Sequence, residues 1–249
     1  MMIWSFQEIV DIYNTMNLPK IETPKYQLTI PSTKKEVSYR PFLVKEEKIV
    51  LIAQEAGEEA DLLMAMKDIV SSCTFGDANI SNLASFDLEY IFLKLRAKSV
   101  GEEAELGIKC DECEEVNKVI VNLDSIEVTE GAALPNKIQL TEEIGIVPQY
   151  IKVRDLISIS KKKDKGDILT ASIAASIENI YDENNVYPIA EASESDIKEF
   201  IESLNKDQLG KLEEVVTGAP KLQETVSFTC QKCGTKNEKI LTGIESFFV

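Results

Sequence analysis

The sequence predicts an α+β chain with a mostly helical body, short β-hairpins and one two-knuckle, four-cysteine β element. Three observations predict it. Apolar residues recur at three- and four-residue steps over much of the 249 residues. Short alternating segments bounded by turn-forming residues interrupt these helical stretches. Two Cys-x-x-Cys pairs, Cys110 with Cys113 and Cys230 with Cys233, stand where alternating segments turn back.

The first unit is residues 1–18. Ile3, Phe6, Ile9, Val10, Tyr13 and Met16 form one apolar stripe of an amphipathic helix. Its polar face carries Glu8 and Asp11 and no lysine. Two readings stand: a helix packed on its own domain, or one that docks in a partner's groove. Asn17, Leu18, Pro19 and Lys20 end it.

The second unit is residues 19–135. Residues 26–30 alternate like a half-buried strand, residues 31–36 have turn composition, and residues 37–41 are extended again, which predicts a β-hairpin. Helices are expected over residues 44–55 and 58–72, on either side of Gly57. After Asp87, residues Leu88, Ile91, Phe92 and Leu95 take i, i+3, i+4 and i+7 positions. Arg96 and Lys98 fall in the last turn and Gly101 lies just past it, a well-formed stop signal. Residues 104–110 read as a strand entering the first cysteine pair, and residues 119–123 as the return strand.

Gly131 and Pro135 mark the boundary to the third unit, residues 136–249. Residues 137–140 and 144–147 look like a short strand pair. Beyond them the chain reads as helical to about Gly218, with residues 168–180 rich in Ala and Ile. Ile197, Phe200, Ile201 and Leu204 form a further stripe behind Ser193 and Ser195. Leu209, Leu212, Val215 and Val216 form the next, closed by Gly218 and Pro220. Residues 225–230 are a strand that enters the second cysteine pair.

Composition removes several functions. The chain has no histidine, so it cannot run a Ser-His-Asp or Cys-His mechanism or build a histidine-ligated metal site. Lys and Arg number 27 against 43 Asp and Glu, a formal net charge of −16. That is a poor basis for binding nucleic acid or an anionic membrane surface. The longest apolar runs, such as residues 49–53, are too short to span a bilayer. Residues 1–8 have no basic region of the secretory kind. A reducing cytosol is therefore expected, where spaced cysteines more often mean metal than disulfide.

The sulfur ligands carry the strongest chemical signal. A hairpin turn that holds Cys-x-x-Cys presents two thiolates to one point, and two such knuckles supply four soft donors. Tetrahedral zinc in a closed structural site asks for that set, so Cys110, Cys113, Cys230 and Cys233 read as the ligands of a zinc-ribbon-like element. The knuckles share a weak likeness: Asn117 and Asn237 stand four residues after the second cysteine, and Ile120 and Ile240 three further on. The alternative is two pairs that never meet, each a reduced turn or a redox disulfide. Neither pair opens a helix, where the dipole would lower a thiol pKa. Acids at 111, 112, 114 and 115 disfavour further negative charge beside Cys113 unless a metal compensates.

Three other features are read as structural. Cys73 is expected to be a small buried residue. Residues 161–165, the basic cluster, read as a solvated helix end. The acidic start at Asp182 lacks the glycine that a calcium loop needs at its sixth position, where Tyr187 stands. No phosphate-binding loop, paired-carboxylate motif or nucleophile elbow is seen, and the chain reads as non-enzymatic.

Residues 26–48, with the stretch Tyr26-Gln-Leu-Thr-Ile30 leading into Val37-Ser-Tyr-Arg-Pro41, resemble a known family. Residues 73–76, 86–101 and 138–146 fit it as well, as do residues 228–234 and 243–248. The family is that of the baseplate hub assembly proteins of T-even-type contractile-tailed bacteriophages, and the likeness runs from about residue 18 onward. The resemblance implies a non-enzymatic role in building the baseplate hub inside the infected bacterial cytoplasm. Members act either as an assembly catalyst absent from the finished particle or as a minor hub component, and this chain looks most like the former. The implied partners are baseplate hub proteins, reached through Ile3, Phe6, Ile9, Val10 and Tyr13 if the N-terminal helix docks.

Overall fold

A computed structural model describes residues 21–247. The expected N-terminal helix lies outside the described residues. The remainder is mixed helix and sheet, built on two hydrophobic cores.

The first core begins with a hairpin of β1 (Tyr26–Thr29) and β2 (Glu36–Tyr39), paired from Tyr26 opposite Tyr39 to Thr29 opposite Glu36. Helices α1 (Val44–Ala56) and α2 (Glu59–Cys73) follow. Gly57 separates them at φ 72°, a left-handed stop that costs glycine little. Helix α3 (Ser85–Ser99) forms the centre. Its stripe residues Leu88, Ile91, Phe92 and Leu95 are all within 1% of full burial, and Leu93 on the far side is buried too. A helix enclosed on every side must also satisfy its polar groups. Asp87 accepts bonds from the Ser32 backbone N–H (2.9 Å) and the Ser32 hydroxyl, which ties the β1–β2 turn to the start of α3. Lys94 donates to the Asp124 carbonyl and to Glu127.

Two hairpins of seven-residue strands join this core. Strands β3 (Glu103–Lys109) and β4 (Val116–Asn122) alternate, sending Ala104, Leu106, Ile108 and Val121 into the core. The second knuckle hairpin joins the same core from the far end of the chain.

The chain leaves for the second core along residues 126–132. Strands β5 (Ile138–Gln139), β6 (Gly145–Pro148), β7 (Ile177–Tyr181) and β8 (Val186–Pro188) form one antiparallel sheet in that order. The expected uninterrupted helical stretch fails at residues 177–181, which are β7. Helix α5 (Lys165–Ala175) ends at the buried Ser176, and the segment that follows, with the β-formers Ile177, Ile180 and Tyr181, pairs with β6, Ile180 opposite Ile146. Helix α4 (Val153–Ser160) bridges the cores, with Val153 in the first. Helices α5, α6 (Glu194–Glu202) and α7 (Lys206–Thr217) cover the sheet through Ile173, Ile201 and Leu212.

The return path runs antiparallel to the outward one. Thr129 N–H bonds to the Lys221 carbonyl and Ala132 N–H to the Gly218 carbonyl, both at 2.8 Å. Strands β9 (Gln223–Thr229) and β10 (Lys236–Thr242) then place Leu222 and Val226 in the first core. A final 3-10 turn, Ile244–Phe247, buries Phe247 completely. No helix among the described residues is long and apolar enough to cross a membrane.

Candidate metal centre

Each knuckle is a hairpin loop closed by its own backbone. In the β3–β4 loop, Cys110 N–H bonds to the Glu115 carbonyl (2.9 Å) and Glu114 N–H to the Cys110 carbonyl (3.1 Å). In the β9–β10 loop the same bonds join Cys230 to Thr235 (2.8 Å) and Gly234 to Cys230 (2.9 Å). The fourth residue after the first cysteine is left-handed in both, Glu114 at φ 56° and Gly234 at 74°. The β1–β2 loop repeats this arrangement without cysteine: Ile30 N–H bonds to Lys35, Lys34 N–H bonds to Ile30, and Lys34 has φ 56°. The knuckle backbone is therefore a loop this chain forms without sulfur ligands.

The hairpins bring both pairs to one point. All four Sγ atoms lie within 4.8 Å of one another. Cys110 and Cys113 stand 3.6 and 3.5 Å from Cys233, respectively, and Cys113 stands 3.6 Å from Cys230. A tetrahedral tetrathiolate with metal–sulfur bonds near 2.3 Å has sulfurs about 3.8 Å apart. All four are free thiols, so the donor set fits a metal ion. Cys110 and Cys230 are buried, Cys113 is half-buried and Cys233 is exposed, so the cluster sits at the surface end of the paired hairpins.

Asn117 and Asn237 lock the two knuckles together across a local two-fold. The Asn237 amide donates to Cys110 Sγ (3.5 Å) and its oxygen accepts from Asp111 N–H (2.9 Å). The Asn117 amide donates to Cys230 Sγ (3.6 Å) and its oxygen accepts from Gln231 N–H (2.9 Å). Each amide also donates to a carbonyl in its own loop, Glu115 for Asn117 and Thr235 for Asn237. Sequence reading saw the repeat of these asparagines but not this role, because the bonds cross between segments 120 residues apart. The acids flanking Cys113 are partly answered by the other hairpin: Lys232 pairs with Glu115 at 2.9 Å and Lys239 with Asp111.

Electrostatics here pulls neighbouring thiols in opposite directions. The Cys233 N–H, followed by the Lys232 N–H and the Asn117 amide, outweighs burial and draws the Cys230 thiol down to about 6. The Cys113 N–H does most to hold Cys110 below the usual thiol range. Cys113 accepts from the Glu115 N–H, yet burial and the neighbouring Cys233, Cys230 and Cys110 sulfurs push it up to about 12. A cation among the sulfurs removes that conflict, since a coordinating thiol is deprotonated outright.

The remaining candidates are placed elsewhere. Cys73 is fully buried in the first core, and burial pushes its thiol up to about 11. Of residues 161–165, the first four join α4 to α5 and Lys165 opens α5, which Asp164 caps by accepting from Gly166 and Asp167 N–H. Asp182 opens the β7–β8 turn and accepts from Asn184 N–H, Asn185 N–H and the Tyr187 hydroxyl.

Comparison with known proteins identifies the family. The model described as T4 bacteriophage base plate protein matches residues 23–249. No curated protein and no solved structure matches. The match takes in both cores, both knuckles and all four sulfur donors, and the chain belongs to the T4-type bacteriophage baseplate protein family.

Proposed function

We propose that this chain is a non-enzymatic assembly factor of the baseplate hub, which binds hub proteins in the host-cell cytoplasm and carries one structural zinc ion. The family match over residues 23–249 is the observation that carries the reading, since a baseplate protein contacts other baseplate proteins. The surface supports a binding role. Ile49 and Ile52, neighbours one turn apart on α1, are both exposed, Ile52 at 67%, and adjoining exposed apolar side chains favour protein partners. The charge of −16 suits partners of opposite potential. Residues 3–16 would add a docking stripe.

Zinc is favoured by the donor set. Four thiolates at tetrahedral spacing, with no histidine in the chain, match its structural sites. All four positions would be protein sulfur, leaving none for a substrate. The ion would hold residues 110–113 against residues 230–233 and so keep both ends of the first core in register.

Two measurements on infected cells test the role. A tagged chain should capture hub proteins, and mass spectrometry of finished particles should find the chain absent. Stoichiometric presence in the particle would replace the assembly factor with a permanent hub component.

A further inference from the structure

A groove of about 620 Å³ opens on the second core between the β7–β8 hairpin and α6. That volume lies within the range of ligand pockets. Ile144, Ile180, Ile197 and Phe200 line its apolar side. Val186 and Tyr187 stand at its mouth, 64% and 47% exposed. Asp182, Glu191 and Asp196 also line it, and no lysine or arginine does. None of the three acids belongs to an ion pair among the described residues. The Asp182 carboxylate is fixed by the Asn184 and Asn185 N–H groups and the Tyr187 hydroxyl, each at 2.8 Å, which keep it ionised.

We propose that this groove docks a segment of another baseplate protein that presents an apolar helical stripe flanked by lysine or arginine. The proposal rests on the reading that the chain binds baseplate proteins, and it names the surface and the chemistry. The apolar wall calls for buried aliphatic or aromatic side chains, and the unpaired acids at the rim call for cations. Strand addition fits poorly. β8 is the sheet edge, but it is three residues long and ends in Pro188, which has no N–H to give. Side-chain docking of a helix remains. The chain's own residues 3–16 carry Glu8 and Asp11 and no lysine, the wrong sign for this rim.

The test uses the full chain and three synthetic peptides followed by fluorescence anisotropy. One is an amphipathic helix with a leucine stripe flanked by lysine, the second its glutamate-flanked twin, and the third residues 1–18 of this chain. The lysine peptide should bind at least about tenfold more tightly than the other two. The double variant V186S/Y187S removes exposed apolar surface at the mouth and with it the Tyr187 hydroxyl bond to Asp182, so its melting curve is recorded beside the parent's and binding is compared at a temperature where both are folded. It should weaken the lysine peptide about tenfold, and E191K should weaken it severalfold at low salt with less effect at high salt. Lysine-peptide binding that neither variant changes would overturn the proposal, because charge alone would then explain it. Tighter binding of the residue 1–18 peptide would overturn it in favour of an intramolecular occupant. Capture of purified hub proteins separates this proposal from the broader reading. Equal capture by parent and V186S/Y187S refutes the groove and leaves the assembly role standing. No capture by the parent refutes the role, and the peptide titration then judges the groove by itself.

Discussion

Replacing Asn117 by alanine removes three hydrogen bonds from one buried side chain. The Gln231 N–H loses its acceptor, the Glu115 carbonyl a donor and Cys230 Sγ a donor. An ordinary bond contributes about 1 kcal/mol net, one to a charged group about 1.5–3, and an unsatisfied buried group costs about 1–3 kcal/mol. Allowing for partial access of water at the surface end of the hairpins, N117A should cost about 2–4 kcal/mol. For a chain of this size that lowers the melting temperature by about 5–15 °C. Loss of an outer-sphere donor should also weaken metal retention about 10–100-fold. N117D discriminates the roles of the two amide atoms. It keeps an oxygen for Gln231 N–H but sets a carboxylate where an amide faced Cys230 Sγ at 3.6 Å. Retention against a competing chelator should therefore rank parent above N117A above N117D, and the Asn237 pair should behave alike because its contacts are the same. Variants that melt and retain metal like the parent would refute the cross-knuckle lock.

Further outcomes follow from the first core and from two carboxylates, the buried Glu46 and the half-buried Glu89. F92A opens the centre of the first core, where Phe92 is 1% exposed beside Phe42, and should cost about 3–5 kcal/mol in denaturant unfolding. Glu46 is buried, which opposes its ionisation, but the Arg40 guanidinium, the Leu43 N–H and Lys45 outweigh that and hold it at about 2. Its folded pKa is depressed, so its stabilisation is present above about 4.5 and lost as pH falls towards 2. The stability gap between parent and E46Q should be full at neutral pH and close over that window. Glu89 goes the other way: burial first, opposed by the Ile244 N–H and helped by Glu245, raises it to about 7. Its folded pKa is raised, so stability is lost as pH climbs from about 4.5 through 7. E89Q, which can still accept from Ile244 N–H, should gain on the parent at pH 8 and show no gain at pH 4.

Much of the first core was legible because its signals are local. Gly57 and the stripe of Leu88, Ile91, Phe92 and Leu95 mark helix ends and faces within a few residues, and α1 to α3 follow them closely. The knuckles were legible because spacing alone encodes them. In the second core the β5–β6 pair was legible at residues 137–140 and 144–147, but β7 and β8 were not. Residues 177–181 read as more of an Ile-rich helix, and only pairing with Gly145–Pro148, some thirty residues earlier, makes them β7. Asp87 and Lys94 gave no hint of burial, since Ser32 and the Asp124 carbonyl satisfy them from distant segments. The convergence of the two cysteine pairs was an inference from chemistry, and the structure supplies the distances.

The central claim is that four thiolates from two distant hairpins hold one ion. Native mass spectrometry of freshly purified chain, repeated after chelation with melting followed in parallel, tests it most directly. The account predicts a mass increment of one zinc per chain, loss of that increment with chelator and a lower melting temperature. A metal-free chain whose melting is indifferent to chelator would contradict it.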